Sequence, residues 1–209
     1  MPNWVYNGLT VEGPQSSVLK LKYEVGKPIY VPVLDWETNE VEVKLTENPI
    51  FSYWNIIAPT DLDSYPLQSS ANGNDWYKWN IANWGVKWDA TSVELQDEAP
   101  NGESYAIHYT FESPWGIPDE ALINLSSQYP DLLFTLTYEE ETGWGGECEF
   151  LRGEQLAGAE YNWRCQECDY MHSGNPDELY MEEHEEHVCP ECQWPVLELM
   201  GLPPKVEVK

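Results

Sequence analysis

The stretch Trp76-Tyr77-Lys78-Trp79-Asn80-Ile81-Ala82-Asn83-Trp84-Gly85-Val86-Lys87-Trp88-Asp89 places four of the chain's eleven tryptophans at spacings of three, five and four. Tryptophan is a large apolar side chain with one N–H that needs a partner when buried. So dense a cluster is the floor of a core or a contact surface, and the flanking segments are read by how they pack on it. Trp76, Trp79 and Asn83 share a helical face, and Gly85 interrupts that period. Trp84, Val86 and Trp88 then alternate, which predicts a strand from Trp84 that Val93 and Leu95 extend.

Downstream the alternation is cleaner. Tyr105, Ile107, Tyr109 and Phe111 form the apolar side of a strand. Ser113-Pro114-Trp115-Gly116 breaks it, and Ile117–Tyr129 follows as a helix with Pro118 in its first turn and Asp119 and Glu120 at its positive end. Leu132, Phe134, Leu136 and Tyr138 mark the next strand. Gly143, Gly145 and Gly146 read as a flexible turn, and residues 147–152 as a last strand.

Upstream, Trp4, Tyr6, Leu9 and Val11 predict an opening strand with an irregularity at Asn7-Gly8. Residues 16–23 read as a short helix. Residues 29–34 and 41–45 read as a hairpin around Glu37-Thr38-Asn39. Residues 60–75 are rich in Asp, Ser, Asn and Gly and read as an exposed loop. Without the hairpin the order is β-α-β-β-α-β plus an edge strand. This is an α+β, ferredoxin-like split βαβ sandwich: an antiparallel sheet with two helices on one face, an inserted hairpin and a small C-terminal zinc ribbon. The predicted organisation is a domain over 1–155 with its insertion at about 27–48, a linker over 156–163, a cysteine module over 164–196 and a tail over 197–209.

Four motifs resemble one family: Met1-Pro2-Asn3-Trp4, Phe51-Ser52-Tyr53-Trp54-Asn55-Ile56-Ile57-Ala58-Pro59, Asn83-Trp84-Gly85-Val86-Lys87-Trp88-Asp89 and Ser113-Pro114-Trp115-Gly116-Ile117-Pro118. In this order, over residues 1 to about 152, they are similar to the YubB-type ferredoxin-like domain of bacteriophages and plasmids. The resemblance implies a ferredoxin-like fold without an iron–sulfur cluster and a mobile-element origin. It carries no catalytic set. The chain departs from the family pattern at Val5, where a cysteine is common, in the insertion, and in the appended module.

Cys165-Gln166-Glu167-Cys168 and Cys189-Pro190-Glu191-Cys192 each offer two thiolates from one tight turn. Two such turns make a tetrahedral four-sulfur site, and the predicted cofactor is a structural zinc on Cys165, Cys168, Cys189 and Cys192. Iron in a rubredoxin-like site and four free thiols are the alternatives. His184 and His187 are rival ligands, but their two-residue gap is shorter than a zinc finger uses. They read instead as part of a helix that Asn175 caps, Pro176 opens and Glu178 supports, with Tyr180, His184 and His187 on one face.

The charge is extreme, with 37 acidic against 10 basic residues, a net −27. Residues 88–151 hold fourteen carboxylates and no Lys or Arg, and residues 165–192 hold nine carboxylates and none. Nucleic acid binding relies on cations that neutralise phosphates, so neither free nucleic acid nor an anionic membrane is an expected partner. The predicted partner is a host protein with a basic surface. With the mobile-element origin that the resemblance implies, the expected function is a phage-encoded, non-enzymatic accessory protein that modulates such a host protein, as a nucleic-acid mimic in host takeover or anti-defence. No apolar run approaches a membrane span and the N-terminus carries no signal-peptide pattern, so the expected location is the host cytoplasm.

Trp76, Trp79, Glu139, Glu140 and Glu141 are the candidate binding surface. The bland reading puts these tryptophans in the core and makes the acidic run a solvated face. Two other functions compete: a single-stranded nucleic-acid binder using sheet aromatics, and an enzyme using the carboxylates, with Asp97-Glu98 among them, or a Cys148–His108 pair. No phosphate loop, Ser-His-Asp order or His-Glu-x-x-His motif is present.

Overall fold

The computed structural model describes residues 2–34, 37–38, 40–60, 76–102, 104–141, 143–156, 158–165, 167–168, 170–173, 180–181 and 186–192. The predicted loop 60–75 and tail 197–209 lie almost wholly outside these residues.

The first strand, β1 (Trp4–Gly13), leads into helix α1 (Gln15–Val25), hairpin β2 (Ile29–Leu34) and β3 (Val41–Thr46), and a 3-10 turn at Tyr53–Asn55. Helix α2 (Trp76–Trp84), strands β4 (Thr91–Asn101) and β5 (Ser104–Pro114), helix α3 (Asp119–Gln128) and strands β6 (Leu133–Glu140) and β7 (Gly145–Leu151) follow. The main sheet runs β4-β5-β1-β6-β7, each neighbour antiparallel, and β2 with β3 forms its own two-stranded sheet. With β7 and the hairpin set aside, the two strands that follow each other in the chain, β4 and β5, lie on one side of β1 and β6 on the other. This is the split βαβ order that the alternation predicts.

One face of the sheet holds the core. Val5, Leu9 and Val11 of β1, Ile107, Tyr109 and Phe111 of β5, Phe134 and Leu136 of β6 and Cys148 and Phe150 of β7 are all buried on it. Val18, Leu21 and Val25 of α1, and Ala121, Leu122 and Leu125 of α3, close over them. Each such aliphatic or aromatic side chain contributes about 1.5–3 kcal/mol by leaving water. Phe51 stacks on Phe111 at 5.5 Å with the rings 16° apart, so the segment after the hairpin belongs to the same core.

Four readings change. The described residues hold three α-helices rather than two, because Trp84 ends a helix instead of opening a strand. Gly85, at φ +81°, closes that helix with its N–H on the Ile81 carbonyl. Trp84 and Val86 both reach the core from this turn, which imitates the period of a strand. Asn7-Gly8 does not interrupt β1, whose register with β5 is continuous from Trp4 to Gly13. The Asn7 amide is buried and donates to Ser113 Oγ at 2.8 Å and to the Val5 carbonyl at 2.9 Å. Gly8 leaves room for Thr137 Oγ1 and the His108 ring, which lie where its Cβ would be.

Gly145-Gly146 is strand rather than turn, because the Tyr161 and Tyr138 rings lie against its backbone. The segment 156–163, read as a linker, carries β9 (Ala159–Tyr161), which pairs with Gly145–Glu147 of β7; β8 (Glu154–Gln155) pairs with the far end of β7. The cysteine module therefore grows directly from the sheet edge.

Candidate metal centre and sheet groove

The module is built on short ladders: β10 (Trp163–Arg164) with β11 (Met171–His172), and β12 (Tyr180–Met181) with β13 (Glu186–His187). The helix expected across Tyr180 and His187 is not formed at these positions, since Tyr180 pairs with His187 in an antiparallel ladder. His184 and the capping residues Asn175, Pro176 and Glu178 lie outside the described residues.

The two Cys-x-x-Cys turns meet. The four sulfurs lie within 4.8 Å of one another, with Cys165–Cys192 and Cys168–Cys189 each at 3.6 Å. A disulfide needs about 2.05 Å. A tetrahedral thiolate site with bonds of about 2.3 Å has edges near 3.8 Å. The cluster has the second geometry, and it is the one group of three or more His, Cys, Asp or Glu among the described residues that could hold a metal ion. Burial raises the Cys165 thiol, but the Cys168 and Glu167 N–H groups and the neighbouring thiols outweigh it and lower its pKa overall. Donation of turn amides to sulfur favours the thiolate that binds metal.

The sheet face away from the helices is open. Tyr6, His108, Thr110, Thr137 and Glu139 alternate with the core residues and line a groove of about 850 Å³. Among the described residues its charged lining comprises Glu94, Glu112, Glu139 and Glu147, without Lys or Arg. Met171 of the cysteine module forms part of its wall. The module is tied there by local bonds: Tyr161 donates to Glu139 Oε2 at 3.1 Å, Trp144 Nε1 donates to Glu160 Oε1 at 2.6 Å, and Ser173 Oγ donates to the Glu160 carbonyl at 3.0 Å.

The candidate binding residues do not form one surface. Trp79 packs between Trp54, 6.4 Å away and near parallel, and Trp84, 5.5 Å away and edge-on. Trp76 is half-buried against the same core. Both belong to the helix side, whereas Glu139 lines the open groove. Glu140 is 7% exposed and points the other way from Glu139, and Glu141 is exposed beyond the strand end. Cys148 and His108 are separated in the same manner. Cys148 is buried in the core, where burial pushes its thiol up to about 11, while His108 faces the groove and bonds Thr10 Oγ1 at 3.1 Å. A nucleophile pair is not assembled. Among the described residues Asp97 and Glu98 belong to no cluster of three or more candidate metal ligands, and Glu98 pairs with Lys22 of α1.

Two features escaped the sequence reading. The groove arises from which strands become neighbours, which composition does not state. Lys87, passed over as one of few cations, lies 4.5 Å from the Trp88 ring, 4.9 Å from Trp115, 5.6 Å from Trp76 and 5.9 Å from Tyr77. Its place inside the tryptophan-rich stretch was the available signal.

Among curated proteins nothing matches the sequence. Among solved structures, the protein Api92 from Yersinia pseudotuberculosis is similar at a TM-score of 0.56 and 12% identity, over 78% of this chain and 99% of that one. The likeness is one of fold. The family model described as "Ferredoxin-like domain in Api92-like protein" matches residues 84–186, from the end of α2 into β13, including Cys165 and Cys168. Residues 84–186 are thus similar to the ferredoxin-like domain of Api92-like proteins.

Proposed function

We propose that the protein is a non-enzymatic, phage-encoded accessory protein that holds a basic surface of a host protein in the open groove of its sheet. The carrying observation is the sign of that groove: among the described residues, four glutamates and no Lys or Arg line about 850 Å³. Clefts lined by one sign of charge focus the field on an oppositely charged partner. Tyr6 and Met171 supply apolar contact for the stems of Lys or Arg side chains. The same sign opposes RNA and single-stranded DNA, because phosphates find no Lys or Arg among the described residues of this groove. The work is done in the host cytoplasm, and a nucleic-acid-like pattern of carboxylates is its recognition device.

The cysteine cluster holds zinc in this reading, and the ion is structural. All four ligands are protein thiolates, which leaves no open position for substrate. Elemental analysis of the purified protein is expected to return one zinc per chain. One iron per chain would replace this reading with a rubredoxin-like one.

The groove is tested with a fluorescent Arg-rich peptide followed by anisotropy. Binding is expected at 50 mM salt and is expected to weaken at least tenfold at 500 mM. The triple change Glu94→Gln, Glu112→Gln and Glu147→Gln is expected to weaken it at least tenfold. A control of equal charge on the hairpin, Glu40→Gln, Glu42→Gln and Glu47→Gln, is expected to change it less than twofold. Equal losses in the two triples would mean that net charge alone attracts the peptide.

A further inference from the structure

We propose that a second pocket, lined by Tyr77, Ile81, Gly85, Lys87, Pro114 and Trp115 among others, binds a small flat anion: an aromatic or heteroaromatic ring bearing a phosphate or carboxylate. The pocket has a volume of about 530 Å³ and is independent of the sheet groove.

Three observations carry this. The first is the state of Lys87. In a chain of net charge −27, it has no carboxylate partner among the described residues; its contacts there are four aromatic rings. Asp119, whose carboxylate lies under Gly85, accepts instead from the Glu120 N–H at 2.9 Å. An ammonium held by rings keeps its capacity to donate to an anion, because ring faces neutralise no charge.

The second is Trp115. Its indole is 52% exposed at the pocket lip, and its backbone sits at φ +61°, a region costly for a bulky residue. The turn is held there by the Trp115 N–H on the Asn3 carbonyl at 2.9 Å and by Ser113 Oγ on the Gly116 carbonyl at 2.6 Å. A fold that exposes a strained tryptophan beside a cation with no carboxylate partner among the described residues has built a stacking plate next to a charge.

The third is preorganisation. Asn80 Nδ2 donates to the Lys87 carbonyl at 2.7 Å and fixes the chain from which the ammonium projects. Gly85, at φ +81°, lines the pocket in a backbone conformation that favours glycine, and the space its Cβ would fill is taken by the Asp119 carboxylate. A flat ring stacks on Trp115 with its edge toward Tyr77, and its anionic group meets Lys87 Nζ.

The test is calorimetric titration of the full chain with four probes. Adenosine 5′-monophosphate and 2-naphthoate carry both ring and anion, adenosine carries the ring alone, and ribose 5-phosphate carries the anion alone. The ring-plus-anion probes are expected to bind at least tenfold tighter than either half, and preference between them identifies phosphate or carboxylate as the group recognised. Lys87→Met is expected to weaken them at least tenfold and leave adenosine unchanged, with Lys87→Arg restoring most of the affinity. Trp115→Ala, which removes an exposed ring and is readable even if Lys87→Met does not fold, is expected to weaken them at least fivefold. No saturation by any probe at millimolar concentration would overturn the proposal. So would ribose 5-phosphate matching the nucleotide, or undiminished binding by the folded Lys87→Met protein.

Discussion

Phe134 in β6 and Cys189 in the cysteine module are both fully buried, but different things bury them. Phe134 lies in a continuous cluster whose described members come from five strands, three helices and the aromatic segment at Phe51–Trp54. Cys189 lies among three other thiols, joined to the body through β9 and a few hydrogen bonds. In the body, sequence alternation places enough apolar surface on one face to offset the entropy of ordering the chain. The module's described ladders are two residues long, and its described buried side chains are few. On the proposed reading coordination orders the module, and a bound ion would supply its folding free energy directly.

The sharpest way to break this contrast is to remove the metal. Structural zinc in small modules contributes about 10 kcal/mol or more at neutral pH. A strong chelator, or Cys189→Ser, is therefore expected to unfold residues 163–192. Amide exchange in β10–β13 should become fast while β1, β5 and β6 stay protected. Loss of protection in β1 on chelation would show that the two regions fold as one unit.

The converse change is made in the body. Trp84 is 1% exposed, edge-on to Trp54 at 5.4 Å and Trp79 at 5.5 Å, with Nε1 donating to the Ile57 carbonyl at 3.0 Å. Trp84→Ala leaves a cavity among these rings and an unpaired carbonyl, and is expected to cost about 3–5 kcal/mol. Denaturant unfolding measures the cost. Metal content of the still-folded fraction should not change, because the ligands lie outside this cluster.

The same division explains what could be read from the chain. Strands β5, β6 and α3 announced themselves because Tyr105–Phe111, Leu132–Tyr138 and Ile117–Tyr129 have one apolar face each, and burial enforces that period. The four cysteines were legible for a chemical reason, since two thiolates three residues apart suit one ion. The failures fall where tertiary contact overrides the local pattern. Trp84 and Val86 alternate like a strand, yet they leave a glycine turn in the same direction. Gly145-Gly146 has the composition of a loop, but the Tyr138 and Tyr161 rings need the missing side-chain space. Neither neighbour is visible to a local reading. The groove and the Lys87 pocket depend on strand order and turn geometry, which the motifs did not state.

Asp89 sharpens the picture of the body, because it is a charge inside a region held by packing. Its carboxylate accepts from Ser52 Oγ at 2.6 Å, Tyr53 N–H at 2.7 Å and Ala90 N–H at 2.9 Å, joining the 3-10 turn to the start of β4. Burial still prevails over these donors and raises its pKa from the ordinary 3.8 to about 6. The native state therefore binds this proton more tightly than the unfolded chain. The sign follows: the contribution of Asp89 to stability is greatest below pH 3.8 and is lost as pH rises through about 6. The loss is of order 3 kcal/mol. Asp89→Asn keeps the shape and an acceptor for the two amides without the ionisation. The stability difference between Asp89→Asn and wild type, measured by denaturant unfolding, is expected to shift in favour of the variant between pH 4 and pH 7. A difference that stays flat over that range would mean that the three donors fully compensate the burial.

The smallest effect concerns the surface. Lys22 of α1 pairs with Glu98 of β4, and their side chains are 34% and 39% exposed. The pair bridges a helix and an edge strand, so it looks like a brace between layers. Water screens both charges, and holding two flexible side chains together costs entropy, which leaves such pairs about 0–1 kcal/mol. Lys22→Met keeps most of the stem over the helix surface and removes only the charge. If apolar packing holds the body, the variant should lose less than about 1 kcal/mol in denaturant unfolding, with little dependence on salt. A larger loss, shrinking as salt rises, would place part of the body's stability in its charges. With 37 acids against 10 bases, each lysine would then relieve repulsion across the whole sheet rather than within one pair.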